Sequence, residues 1–258
     1  MQLTQLKVLN IEDITPHMRR IHCRYQGHSL IAADAGGYVK LLFNQQGGTD
    51  ISTMLANGDR PIMRTYTLRT VDPEQQQLSI DLVRHTPFAG PAGPALRWLN
   101  SVMPGDQLQI AGPGHSQYPT YQAQQRYWLI ADMTALPALS VLLAQLPKDA
   151  RGDCLIQVHS EADIQSLNAP AGIDIRWLVS ATADSQQQAK MAQQLPAPNA
   201  HSNIWVATEF DAMRAIRRYL TQQLGLDRQA MYISSYWRAG RTEEGHKVDK
   251  REDMAELS

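Results

Sequence analysis

The run Arg64-Thr65-Tyr66-Thr67-Leu68-Arg69 combines residue types and spacing that point to a definite chemistry. In an extended strand side chains alternate, so Arg64 and Tyr66 share one side while Thr65 and Thr67 share the other. A flat aromatic to lie on a ring system, a guanidinium for a diphosphate, and hydroxyl or backbone groups for a ring edge together suit a flavin. An ordinary amphipathic strand with solvated arginines fits the same spacing. Shortly afterwards comes HTPFAGPAGPALRW, from His85 to Trp98. Gly93 and Pro94 at a helix start leave backbone N–H groups facing outward, an arrangement suited to phosphate. Gly and Pro punctuate many loops, and this segment gains meaning by following RTYTLR in the same half of the chain.

Two further segments deserve a chemical reading. In IADMTALPALSVLL, from Ile130, a strand passes through the small-residue turn Asp132–Thr134 into a helix containing Pro137. Open α/β sheets bind nucleotides at such a turn. The glycine-rich dinucleotide fingerprint is absent, so a nicotinamide site here is a looser one, and a structural turn fits equally well. In SSYWRAGRTEEGHKVDK, Tyr236 and Trp237 follow an expected last strand, Met231–Ser234, where an aromatic can cover one face of a bound ring. Arg238, Arg241, His246, Lys247 and Lys250 can attract an anion, although Glu243, Glu244 and Asp249 dilute the charge, and a solvated tail is the bland alternative. Trp128, Trp177 and Trp205 sit in buried-looking strands and read as core. His22, His159 and His201 show no metal-ligand spacing. Neither a G-x-S-x-G elbow nor a P-loop pattern occurs, which leaves hydrolase and P-loop chemistry without support.

The elements that must position these residues change character along the chain. Up to about residue 115 there are short strands separated by turns: Leu3–Leu9, Met18–Arg24, Tyr38–Phe43, Met63–Val71, Leu78–His85 and Gln107–Ala111. LSIDLVRH alternates as a half-buried antiparallel strand does, and GPAGPALRWLNSV reads as a single short helix. This predicts a closed or nearly closed antiparallel barrel. After about residue 125 strands alternate with helices: Tyr127–Ala131, a helix over TALPALSVLLAQL, then CLIQVHS, IDIRWLVS and NIWVAT. The last feeds a long helix with Phe210, Met213, Ile216, Leu220 and Leu224 on one face, opened by an expected capping box of Thr208 and Asp211. Such alternation predicts a parallel sheet with helices on both faces. The tail from Thr242 reads as a final exposed helix. The polar stretch Ser116–Gln125 is the expected linker, giving domains 1–120 and 121–258 and an α+β two-domain class.

Bulk properties narrow the field further. The 258 residues carry a formal net charge of -1, which gives no global attraction to nucleic acid or membrane. Cys23 and Cys154 stand far apart at no metal-ligand spacing, as in a reducing compartment. The opening MQLTQLKVLNIEDITP lacks a signal-peptide pattern, and no apolar run is long enough for a membrane helix, so the expected location is the cytoplasm.

A barrel carrying RTYTLR followed by an α/β half resembles the ferredoxin-reductase-like flavoproteins, and within them the siderophore-interacting proteins or ferric-siderophore reductases. The matching pieces run in order along nearly the whole chain: YVKLLF at 38–43, MRTYTLR at 63–69, DLVRH at 81–85, GPALRW then PGD between 93 and 106, IADMTALPAL at 130–139, WVATEFDAMRAIRRYL at 205–220 and YWRAGRTEEGH at 236–246. The resemblance implies FAD as cofactor, bound by Arg64, Thr65, Tyr66, Thr67 and Arg69. It places His85 and the Gly93-Pro94-Ala95 turn near the diphosphate or adenosine, and assigns Asp81, Val83 and Trp237 to the cofactor site as further contacts. It assigns Asp132, Thr134, Ala135, Pro137 and Glu209 to a nicotinamide nucleotide, with Thr208 standing where a small residue is expected. Lys40, Arg241 and Lys247 become candidates for receiving the siderophore.

The implied activity is reduction of Fe(III) in a siderophore, with flavin chemistry and no catalytic side chain or protein metal ligand. NAD(P)H is the implied donor, with reduced ferredoxin as an alternative. Glu161 and Asp163 after CLIQVHS oppose a 2′-phosphate and incline the reading to NADH. Two rivals stay open: a general flavin diaphorase or ferredoxin-type reductase, and a non-enzymatic siderophore-binding protein.

Overall fold

The computed structural model describes residues 3–27, 30–85, 92–116, 118, 125–182 and 184–256. The chain separates into two compact units, Met1–Ser116 and Gln117–Ser258.

In the first unit, strands β1 (Leu3–Thr15), β2 (Met18–Gln26), β3 (Tyr38–Phe43), β4 (Ile62–Asp72), β5 (Gln77–Val83) and β6 (Gln107–Gly114) form a closed antiparallel barrel in the order β1-β2-β5-β4-β3-β6. Among the described residues two α-helices interrupt them, the short α1 (Ser52–Ala56), which has no counterpart among the sequence expectations, and α2 (Pro94–Ser101). β1 runs well past the expected Leu9, because its second half pairs with β2 through Thr15. Alternation explains the core. Leu6, Val8, Ile21, Val39, Leu41, Phe43, Leu68, Ile80 and Ile110 point inward and are fully enclosed or nearly so. Burying each such side chain contributes about 1.5–3 kcal/mol. α2 adds Leu96, Trp98 and Leu99 to this core, with Trp98 tilted against Phe43. Barrel closure depends on Gly112, which has φ +118° where the β3–β6 register shifts. A Cβ there would stand 3.1 Å from the Tyr38 carbonyl oxygen.

In the second unit, β7 (Arg126–Ala131), β8 (Arg151–Val158), β9 (Gly172–Val179), β10 (Asn203–Glu209) and β11 (Tyr232–Trp237) form a parallel sheet in the order β11-β10-β7-β8-β9. Tyr127–Ala131 is buried at every position, as in a strand covered on both faces. The helices are α3 (Leu136–Gln145), α4 (Ser185–Gln193), α5 (Phe210–Arg218) and α6 (Glu243–Ala255), and α5 continues into a π-helical turn, Tyr219–Gln223. Phe210, Met213, Ile216 and Leu220 are buried in one cluster, with Leu224 packed against it.

Three expectations need correction. Thr208 does not cap α5. Pairing with β11 carries the strand through Glu209, so Glu209 becomes the capping residue and Thr208 stays inside the sheet edge. The last strand reaches Trp237 rather than Ser234. The tail forms the expected helix, α6, capped by Thr242, but it is not simply exposed: His246, Asp249 and Asp253 are buried. α4 was not expected, and its buried face consists of Gln188, Ala189 and Ala192. Trp128 and Trp205 are core as expected, while Trp177 is half-buried on the edge strand β9. Among the described residues no helix is long and apolar enough to cross a membrane. Cys23 and Cys154 are both free and buried, and burial pushes the Cys23 thiol up to about 12 and the Cys154 thiol up as well.

Candidate functional site

β4 holds the Arg64–Arg69 run, and its register with β3 settles which side chains share a face. Tyr66 stands opposite Val39 and Arg64 opposite Leu41, so both lie on the side that carries the barrel core. Tyr66 packs against that core yet stays half-buried, and Arg64 is half-buried with one guanidinium nitrogen donating to the Met63 carbonyl at 2.7 Å. Thr65 is exposed and Thr67 half-buried on the opposite side. Thr65 pairs with Lys40, whose ammonium lies 5.9 Å from the Tyr38 ring centroid.

Simple alternation ends at Arg69. The β4–β5 register shifts between Leu68 and Thr70, which makes Arg69 the extra residue of a bulge. Its guanidinium comes within 3.8 Å of Asp81, a carboxylate whose side chain is 4% exposed. Asp81 is already held by Arg20 of β2 through two hydrogen bonds, 2.6 and 2.8 Å. Burial, then the neighbouring Arg20 charge, pulls the Arg69 guanidinium below its ordinary range. Arg20 was not a sequence candidate. Its partner lies 61 residues away, and no local pattern announces that pairing.

Past β5, Val83 is half-buried and His85 exposed. The stretch 86–91 of the expected phosphate-binding segment lies outside the described residues. Gly93, Pro94 and Ala95 form the start of α2. Gly93 is its N-cap, Pro94 occupies the first turn, and among the described residues no side chain caps the helix. A Cβ at Gly93 would meet no atom of the described residues within 4 Å. This start differs from those of α4, α5 and α6, where Asp184, Glu209 and Thr242 accept the first N–H groups.

In the second unit Asp132, at the carboxyl end of β7, gathers five donors. One oxygen accepts from Thr134 N (2.9 Å), Thr134 Oγ1 (2.6 Å) and Ala135 N (3.1 Å). The other accepts from the Trp237 indole N–H at 2.7 Å and from Thr208 Oγ1 at 3.3 Å. Thr208 also meets Gln188 Oε1 at 2.6 Å, and Gln188 donates back to the Ala131 carbonyl at 2.9 Å. Trp237, assigned by resemblance to the flavin, is thus tied to the nucleotide-type turn of its own unit. Pro137 is buried within α3. Glu209 accepts N–H groups from Asp211 (2.6 Å), Ala212 (3.2 Å) and Ala239 (3.2 Å), while burial still raises its pKa. Asp163 is enclosed and accepts from Ser160 N and Oγ, which leaves Glu161 as the exposed acid after β8.

The C-terminal cations are largely engaged. Arg238 and Arg241 approach Asp249 at 2.9 and 3.3 Å, and Lys247 pairs with Glu243 at 2.8 Å. Lys250 donates to Ser234 Oγ and the Ser235 carbonyl, both at 3.1 Å, and burial lowers its pKa. His246 is buried 2.8 Å from Ser235 Oγ. Among the described residues no group of three or more His, Cys, Asp or Glu is placed to hold a metal.

Residues 7–117 match the model of the siderophore-interacting FAD-binding domain, and residues 124–240 match that of the siderophore-interacting protein. The structure of the siderophore-interacting protein SipS from Aeromonas hydrophila is 33% identical, covers 98% of each chain and superposes with a TM-score of 0.82. The ferric vibriobactin reductase ViuB of Vibrio cholerae is 28% identical over 231 residues, spanning 86% of this chain and 83% of its own. A ferredoxin reductase in carbazole 1,9a-dioxygenase shares the fold alone, at 13% identity and a TM-score of 0.64 over 92% of this chain and 67% of its own. The expected two-domain class, antiparallel barrel followed by parallel α/β sheet, is therefore the one observed.

Proposed function

The chain belongs to the siderophore-interacting protein family, and on that premise we propose that it is an FAD-dependent ferric-siderophore reductase. The observation that carries the reading is in the first unit. An aromatic on β4, a cation at Arg69 and a helix start at Gly93 that no described side chain caps suit two parts of FAD, the ring and the anionic diphosphate. The chemistry FAD supplies when bound is the exchange of a two-electron donor for one-electron transfers, the kind Fe(III) accepts. The Tyr66 ring supports the isoalloxazine, and Thr65 and Thr67 offer hydroxyls and backbone groups to its edge. Arg64, Arg69 and the first N–H groups of α2 hold the diphosphate, with Val83 and His85 beside the adenosine portion. No side chain acts as an acid, a base or an iron ligand.

The substrate is Fe(III) wrapped in the hard oxygen donors of a siderophore, and reduction to softer Fe(II) weakens that complex and releases the metal in the cytoplasm. Lys40 has no carboxylate partner among the described residues and leads the candidates for attracting an anionic siderophore, ahead of the paired Arg241 and Lys247. Asp132, Thr134, Ala135, Pro137, Glu209 and Trp237 serve an NAD(P)H donor in the second unit. Exposed Glu161 favours NADH over NADPH, and reduced ferredoxin is the alternative donor. The internal pairing of Arg241 and Lys247 favours, as second reading, a general flavin diaphorase without siderophore preference. One anaerobic experiment tests these points. The FAD-loaded protein is bleached with NADH or NADPH, then mixed with a ferric siderophore and a ferrous chelator. Recovery of the yellow colour with Fe(II) appearing, faster from NADH, is expected. A protein that cannot be loaded with FAD overturns the proposal, and one that bleaches but ignores ferric siderophores moves it to the diaphorase.

A further inference from the structure

Asp81 and its two arginines form an unequal trio. Arg20 stands directly across from Asp81 in the β2–β5 register, and its fork takes both carboxylate oxygens, Nε to Oδ1 at 2.6 Å and Nη2 to Oδ2 at 2.8 Å. Arg69 reaches the same carboxylate from the β4 bulge, but at 3.8 Å, beyond hydrogen-bond distance. Arg20 also feels Glu12, its neighbour in the β1–β2 register, whereas Asp81 is the one carboxylate among the described residues that approaches Arg69, and it is shared by two guanidinium groups. Geometry leaves Arg69 the less neutralised of the two, since Arg20 holds the bidentate contact. Among the described residues no second carboxylate meets Arg69, and its side chain remains 26% exposed.

We infer that Arg20 is a positioning residue for the cofactor site: by occupying Asp81 it keeps the Arg69 guanidinium available to the FAD diphosphate. This rests on the reading of the first unit as FAD-binding. If Arg20 were absent, Asp81 would be a nearly enclosed carboxylate with both oxygens open and a guanidinium 3.8 Å away. A buried charge without a partner is costly, so Arg69 would close the gap and be neutralised. Arg20 thus acts on ligand binding through Asp81, without touching the ligand itself. A plain structural staple between β2 and β5 makes a different prediction, because removing both members of a staple does not restore a binding site.

The test measures affinity of the deflavinated full-length chain for FAD and for riboflavin, which lacks phosphate, with thermal unfolding recorded for every variant. Arg69→Gln and Arg20→Gln are each expected to weaken FAD binding about ten- to a hundredfold, the value of one charge-assisted hydrogen bond. Riboflavin binding should change less than about threefold, the margin of uncoupled sites. Adding Asp81→Asn to Arg20→Gln is expected to bring FAD affinity back to within about threefold of wild type, since nothing then competes for Arg69. Arg20→Lys, which keeps the charge but loses the fork, should fall between and serves if Arg20→Gln does not fold. A loss in Arg20→Gln that Asp81→Asn fails to recover, or an equal loss for riboflavin, overturns the inference and leaves a staple. Wild-type protein that takes up no FAD overturns the flavin reading itself, an outcome distinct from either.

Discussion

Replacing Asp132 by Asn changes one atom in the network that joins β7, α3, β10 and β11. The carboxylate meets three groups on one oxygen and two on the other; four of these contacts bring a hydrogen of their own, while Thr208 shares its single hydroxyl hydrogen between Asp132 and the nearer Gln188. An amide has one oxygen to offer. With that oxygen kept on the Thr134 and Ala135 side, the new NH₂ faces the Trp237 indole N–H at a position now 2.7 Å away, donor against donor. Thr208 can adapt, because its hydroxyl also donates to Gln188 and can accept from the amide. The loss is then one charge-assisted bond and one disappointed donor, about 2–4 kcal/mol. Trp237→Phe removes the donor instead and leaves the carboxylate with four partners, at about 1 kcal/mol. Urea unfolding followed by tryptophan fluorescence reads the difference, since Trp128, Trp177, Trp205 and Trp237 all lie in the second unit. At a slope of about 2 kcal/mol/M, Asp132→Asn should lower the midpoint by about 1–2 M and Trp237→Phe by about 0.5 M. The Asp132→Asn, Trp237→Phe double variant should cost little more than Asp132→Asn alone, because both changes break the same bond. Equal losses in the two single variants, or full additivity, would refute this account of the network.

Gly93→Ala is expected to leave the melting temperature of the flavin-free protein within about 2 °C of wild type, because the added Cβ meets no atom of the described residues within 4 Å and φ is -61°. FAD affinity should nevertheless fall about tenfold if the helix start cradles phosphate; a fold loss without FAD, or unchanged FAD affinity, contradicts that role. His246 gives a pH prediction. Burial, then the Lys250 charge, lowers its pKa to about 4, against opposition from Asp249 and Glu243, with Arg238 adding to the lowering. The folded state therefore binds the proton less readily than the unfolded chain, whose imidazole titrates near about 6.5. Stability of the second unit is fully present above that value and drains away as pH falls toward 4. The urea midpoint should fall between pH 7 and pH 5, and His246→Gln should flatten that dependence; equal slopes for the two proteins would exclude His246 as its source.

The elements that were legible in the sequence are those written by local periodicity. LSIDLVRH alternates, and β5 turns Leu78, Ile80 and Leu82 inward while Ser79 and Asp81 face the other way, although that second face is buried too and the strand is not half-buried as expected. The continuous apolar runs at 127–131 and 204–207 are strands covered on both faces. α4 escaped because SQQQAKMAQ buries small residues and a glutamine, which leave no apolar stripe to recognise. The cap of α5 was misplaced by one residue for a tertiary reason: the pairing of Glu209 with Trp237 on β11 extends the strand, and a capping motif read along the chain carries no trace of it.

The same distinction separates cations that are spoken for from cations that are not. Residue types alone make Arg238, Arg241, Lys247 and Lys250 look like an anion site, yet α6 winds Asp249 and Glu243 back among them, and Lys250 turns into Ser234 and Ser235. Arg69 looks like one more basic residue on an amphipathic strand, yet a bulge aims it at a carboxylate that another arginine has already claimed. Whether a guanidinium serves a ligand or the fold depends on how many carboxylates reach it compared with its neighbours. That count is made between strands dozens of residues apart, so it belongs to the register of the barrel rather than to any motif along the chain.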